Sequence, residues 1–166
     1  MVSQRLRSLD IRGFSMIELV VVVAIAGIIM AVGVPTLWSY WRTSTLNAGA
    51  EELAAVLNRG RQLAIKENSS VCVTSNGTNL SYFLGCGVTA WTGEGTDGAG
   101  VVRLQNNVTI SNTVTVTFTY LGAATPGGTY RVRNPIDATE LLVCVAATGR
   151  VRVQASTAAT PSTTCP

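Results

Sequence analysis

Residues 12–35 read RGFSMIELVVVVAIAGIIMAVGVP. From Ile17 to Val34 the one ionisable residue is Glu18, and the others are Ile, Leu, Val, Ala, Gly and Met. About 20 apolar helical residues cross the roughly 30 Å hydrocarbon core of a bilayer. The run meets that length if Phe14 and Leu37 are included. A carboxylate in lipid costs a few kcal/mol, so Glu18 needs either interfacial water or a partner. Arg5, Arg7 and Arg12 precede the run against a single acid, Asp10, which places that end on the cytoplasmic side. A secretory signal peptide carries small residues at a cleavage site after its apolar stretch. Here Gly13 stands before the stretch instead. A cut between Gly13 and Phe14 leaves the helix on the mature chain, with a new amine at Phe14.

Beyond Pro35, which kinks or locally opens a helix, apolar or small residues recur at Leu46, Ala50, Leu53, Leu57, Gly60 and Ala64, with Val56 and Leu63 widening the stripe. That spacing marks one helix face. Glu51, Asn58, Gln62 and Lys66 lie off it. The pattern predicts a helix from about Phe14 to Glu67, greasy in its first half and amphipathic in its second, ended by the ENSS at 67–70. From Val71 the period changes to two. VCVTS and LSYFL flank Asn76-Gly77-Thr78-Asn79, a hairpin signal. VVRL, NVTI, TVTVTFTY, TYRVR, ELLVCVAA and RVRVQ follow as strand candidates. TVTVTFTY alternates, so Val114, Val116 and Phe118 face one side and the threonines the other. Strands in succession without intervening helices imply antiparallel pairing. The expected fold class is α+β, one long N-terminal helix packed on an antiparallel β-sheet head.

The 166 residues carry a net charge of +3. From Phe14 onward the balance is nine basic against eight acidic side chains, so total charge says little about partners. Its distribution says more: from Val101 on, Arg103, Arg131, Arg133, Arg150 and Arg152 face only Asp137 and Glu140. The chain has no histidine, which removes Ser-His and Cys-His catalysis, and its acids form no pair. No enzyme and no cofactor is expected. GEGTDG at 93–98 matches G-x-G-x-x-G but neither ends a clear strand nor opens a helix, so a dinucleotide site fails on context. Residues 85–100 read as a Gly-rich loop, with Trp91 docked on the head.

Four cysteines, at 72, 86, 144 and 165, all follow the span. An even number in an oxidising compartment suggests two disulfides, and three pairings are open. Short loops favour Cys72–Cys86 and Cys144–Cys165. The spacings do not cluster as zinc ligands do.

TGRVRV at 148–153 places a glycine with turn freedom before two arginines on one strand face, with Val151 and Val153 on the other. Two residues of strand rise set Arg150 and Arg152 about 7 Å apart, a separation suited to successive phosphates. YRVRN at 130–134 repeats the device with Arg131 and Arg133, for which pairing with Asp137 or Glu140 is the plainer expectation. Arg103 and Lys66 widen the basic patch if the fold brings them near.

GFSMIEL at 13–19, with the apolar run and Pro35, resembles the class III signal of type IV pilins and type II secretion pseudopilins. The resemblance implies the type IV pilin fold. It also implies that a prepilin peptidase removes residues 1–13 and N-methylates Phe14, and that 14–35 form the transmembrane and filament-core helix. Residues 36–166 would then be a periplasmic or extracellular head, helical to about 68 and then β-sheet. It places Glu18 at the family's characteristic glutamate position, where it meets the Phe14 amine of a neighbouring subunit in the filament. The chain would sit in the inner membrane with one pass, then in a pilus among other pilins. RQLAIKENSSVCV at 61–73, the Trp-containing Gly-rich loop, TGRVRV and the terminal Cys165 resemble the GspH/FimT group of minor pilins. That likeness implies binding of double-stranded DNA for natural transformation through Gly149, Arg150 and Arg152. It leaves open a structural minor pilin that primes assembly, or a minor pseudopilin of type II secretion.

Overall fold

The computed structural model describes residues 14–106, 108–112, 115–136 and 139–155. One helix, α1 (Met16–Lys66), precedes eight strands: β1 (Val71–Asn76), β2 (Asn79–Leu84), β3 (Val101–Arg103), β4 (Thr109–Ile110), β5 (Thr115–Phe118), β6 (Gly128–Arg133), β7 (Glu140–Val145) and β8 (Val151–Ala155). The helix bounds fall within two residues of those read from periodicity. The chain forms two compact units, one up to Tyr40 and one from Trp41 onward.

In the first unit α1 is long and apolar enough to cross a membrane, and none of that stretch is buried in the protein. Ile17, Leu19, Val20, Ile28, Ile29 and Val32 all lie exposed. Soluble helices turn such side chains inward, so this surface needs lipid or protein around it. Glu18 and Leu19 open the helix, their amides donating to the Ser15 carbonyl at 3.0 and 3.2 Å. Pro35 removes one helical donor without ending α1. The Thr36 hydroxyl donates back to the Gly33 carbonyl at 2.8 Å beside it.

In the second unit the amphipathic stripe is the core. Leu46, Ala50, Leu53, Val56, Leu57, Leu63 and Ala64 are buried, while Glu51, Asn58, Gln62 and Lys66 are exposed. Two four-stranded antiparallel sheets supply the other side of the core, in the orders β3-β2-β1-β5 and β4-β6-β7-β8. The sequence pattern leads to a single sheet; the chain instead alternates between two. Strands β4 and β5 are close in sequence, yet β4 pairs with β6 and β5 with β1. Alternation shows which face of a strand is buried, not which neighbour it pairs with. Asn112 joins the two sheets at this crossing. Its side chain donates to Thr129 O at 2.6 Å and accepts from Arg131 N at 2.7 Å, while its own carbonyl accepts from Ser75 Oγ at 3.3 Å. Val116 and Phe118 are fully buried as expected; Val114 lies outside the described residues.

The hairpin forms as read, with Asn76 opposite Asn79 and Gly77 at φ +64°. Cys72 and Cys86 are disulfide-bonded. Cys144 is also in a disulfide, and its expected partner Cys165 lies outside the described residues. Trp91 packs on the core, its amide donating to Tyr82 O at 2.7 Å and its ring meeting Tyr82 edge-on at 6.2 Å between centroids.

Gly60 sets the distance between helix and sheet. A Cβ there would lie 2.7 Å from Val73 Cγ2 and 3.1 Å from the Tyr82 ring. The absent side chain lets Tyr82 lie against α1 and donate its hydroxyl to the Val56 carbonyl at 2.9 Å. Burial pushes the Tyr82 phenol up to about 12, against the opposing pull of the Arg59 charge. Its neutral form therefore contributes stability that is complete below pH about 10 and lost as pH rises through about 12. Replacing Tyr82 with Phe should cost about 1 kcal/mol in a denaturant titration at neutral pH. The variant should also lose less stability than the parent between pH 10 and 12; an identical alkaline loss would contradict the assignment.

Candidate nucleic-acid interface

Gly149 ends the turn between β7 and β8. Its amide donates to Ala146 O at 2.8 Å, and its φ of +78° is one that residues with a Cβ rarely adopt. It is also buried. A Cβ at Gly149 would overlap the Gly122 carbonyl oxygen and lie 3.1 Å from Arg61 Nε. Arg61, on the last turns of α1, donates through that Nε to the same oxygen at 2.9 Å. Helix end, 119–123 loop and 146–150 turn thus meet on one carbonyl. The Gly122 turn, itself at φ +80° and closed by Gly122 N to Thr119 O at 2.8 Å, faces Gly149 across this point. Gly149 therefore contributes a turn rather than a contact surface.

Arg150 follows immediately and is exposed. Strand β8 begins one residue later, but the Arg150 carbonyl accepts from Ala146 N at 2.9 Å, which continues the ladder. Arg152 is exposed on β8, an edge strand, opposite Cys144, which in turn lies opposite Thr129. Alternation puts Arg131, Arg133, Glu140 and Arg152 on one face of this sheet, with Tyr130, Val132, Val143 and Val145 buried on the other. Val153 is partly exposed, as befits an edge.

The other basic residues divide. Arg131 Nη1 lies 3.9 Å from Glu140 Oε2, so its charge is answered locally. Arg133 is exposed and stands directly opposite Glu140 in the register. Asp137 lies outside the described residues. Arg103 sits on β3 in the other sheet, with Nη2 3.6 Å from Asp97 Oδ2. That carboxylate also accepts from the amides of Val101 and Ala99 at 2.8 and 2.9 Å. The Val101 bond foremost, with the Ala99 bond and Arg103 behind it, holds it below the usual aspartate range. The GEGTDG segment is thus an aspartate-braced loop. Lys66 is exposed in the last turn of α1. Neither Arg150 nor Arg152 makes an ion pair among the described residues. No group of His, Cys, Asp or Glu among the described residues could hold a metal ion. Phe14 and Glu18 are exposed on the first unit, and Gly13 lies outside the described residues.

Sequence reading missed Arg61. It stands 61 residues from Gly122 and has no local signal beyond an arginine at the edge of the apolar stripe. The Asp97–Arg103 brace is six residues apart and was within reach of a loop reading.

Residues 10–34 match the family model for the prokaryotic N-terminal methylation motif, and residues 49–149 match that for type II transport protein GspH. Two crystal structures of the Pseudomonas aeruginosa type IV minor pilin FimU are similar. One is 20% identical and covers 70% of this chain and 98% of its own; the other is 21% identical and covers 75% and 98%. The TM-score is 0.49 in both cases. No curated protein sequence matches the chain.

Replacing Gly149 with Ala should destabilise the head by at least about 2 kcal/mol, from left-handed strain plus overlap with Gly122. A denaturation midpoint unchanged by Gly149→Ala would show that the turn is not held as described.

Proposed function

The chain belongs to the family of type II transport protein GspH, and from that premise we propose that it is a minor subunit of a pilus-type filament whose head binds double-stranded DNA without sequence preference. The observation that carries the DNA reading is the exposed pair Arg150 and Arg152, free of ion pairs among the described residues, at the start of an edge strand behind a rigid turn. Forked guanidiniums suit phosphate oxygens, and phosphate contacts position a duplex without reading its bases. Arg133 adds charge on the same face, while Arg131 and Arg103 are answered by Glu140 and Asp97. With nine basic and eight acidic side chains from Phe14 on, a single head binds at the weak end of the ~10⁻⁴ to 10⁻⁶ M range typical of non-specific contacts. Several heads along one filament, engaging one duplex, raise the effective affinity.

The N-terminal half supplies assembly. A prepilin peptidase cuts between Gly13 and Phe14 and methylates the new amine. Residues 14–35 hold the subunit in the inner membrane with the head in the periplasm, until the exposed apolar face packs among other pilins. Glu18 then meets the Phe14 amine of a neighbour. A buried carboxylate is tolerable when paired and costly when not, so the pair acts as a register device. Cys144, which is disulfide-bonded, pairs with Cys165 in this reading. Capture of DNA by such a filament serves uptake in natural transformation.

The family's own description favours a second reading, a minor pseudopilin of type II secretion; in a purely structural minor pilin that primes assembly these arginines are dispensable. The two separate in one experiment. Combined Arg150→Ala and Arg152→Ala substitutions should abolish DNA uptake while the protein stays folded and filaments assemble. Normal uptake by that variant would replace DNA capture with the secretion or assembly role.

A further inference from the structure

Beside the arginines, the head presents an aromatic and an aliphatic side chain that the core does not use. Tyr120 is 53% exposed and Leu121 is 75% exposed. They occupy the two central positions of the Thr119–Gly122 turn, the turn whose carbonyl receives Arg61 and faces Gly149. A Cβ at Gly122 would lie 3.0 Å from Ile65 Cδ1, so the end of α1 packs there as well. The Thr119 amide donates to Ala123 O at 2.8 Å and closes the loop on itself. Tyr120 therefore stands on a braced support, not on a loose loop. Chain geometry keeps its Cα within about 16 Å of that of Arg150, through the Gly122–Gly149 contact. Arg61 meets this turn through the Gly122 carbonyl, and Arg150 follows Gly149 across from it; Lys66 and Glu67 follow Ile65 at the end of α1.

We propose that Tyr120 is a base-stacking platform, and that the Gly122–Gly149 face binds single-stranded DNA in preference to duplex. The inference rests on the phosphate-binding role proposed for Arg150 and Arg152 and assigns a second contact to the same site. Arginines answer phosphate charge in either form of DNA. An exposed aromatic ring adds something only where base faces are open, as they are in a single strand and not in a stacked duplex. Exposed aromatic and aliphatic surface on a turn that meets Arg61 and faces the Gly149–Arg150 step fits a polyanion that carries flat apolar faces. Such stacking is tolerant of sequence because every base offers a π-face.

The test uses the mature full-length chain in detergent micelles, with a fluorescent 20-nucleotide single strand of mixed sequence and the matching duplex, at one fixed low salt concentration. The single strand should bind about tenfold more tightly than the duplex, the advantage of stacking one base. Tyr120→Ala should remove that advantage and leave duplex affinity within twofold of the parent. Tyr120→Phe, which keeps the ring, should restore it. Equal affinity for both forms in the parent protein, or a preference that survives Tyr120→Ala, overturns the proposal, including the case in which this surface serves a neighbouring subunit. Combined Arg150→Ala and Arg152→Ala substitutions should weaken both forms alike. If they weaken neither while Tyr120→Ala still removes the preference, the arginine site fails and the stacking platform stands.

Discussion

The close approach of α1 to the first sheet at Gly60 is the contact on which the rest of the head depends. It brings Val73 and the Tyr82 ring against the helix and lets the Tyr82 hydroxyl reach Val56 O. A glycine inside a helix gives up about 1 kcal/mol relative to alanine. Here that loss is offset by a packing distance that no larger residue allows. The next residue along the same turn, Arg61, holds the Gly122 carbonyl against Gly149. Two adjacent residues on α1 therefore hold two different parts of the head. One seats the sheet, and the other fixes the turn that presents Arg150.

Gly49 repeats the first of these devices nearer the start of the second unit. A Cβ there would lie 2.5 and 2.7 Å from the two methyls of Val108, which is fully buried just before β4. Glu52, one turn on, accepts from Gln105 N at 3.0 Å and Asn106 Nδ2 at 2.8 Å in the loop that leads there. The helix is thus tied to the first sheet at Gly60 and to the approach to the second at Gly49. Its small residues mark where strands come close, and its large ones fill the core between.

Much of this was legible in the sequence. The 3,4 spacing from Leu46 to Ala64 named the buried positions of the helix stripe except Gly49, and Asn76-Gly77-Thr78-Asn79 named the hairpin. Glycine at 149 signalled a turn, and its positive φ bears that out. The division into two sheets was not legible, because strand alternation carries no record of partners and β4 and β5 part company within a few residues. Nor was the Arg61 clamp, since nothing local distinguishes an arginine that binds a carbonyl 61 residues away from one in solvent. Of the basic residues, composition gave the excess but not its division. Arg103 and Arg131 meet acids through the fold, while Arg150 and Arg152 do not among the described residues.

The functional account then reduces to electrostatics on a near-neutral head. In the proposed reading, two guanidiniums at an edge strand, without ion pairs among the described residues, hold phosphates weakly, and a filament multiplies weak contacts. The salt dependence of duplex binding tests this most directly. Each neutralised phosphate contributes about −0.9 to the slope of log affinity against log salt. The account predicts that removing Arg150 and Arg152 makes that slope shallower by about 1.8. A parent protein whose duplex affinity does not change with salt, or a double variant with an unchanged slope, would contradict it.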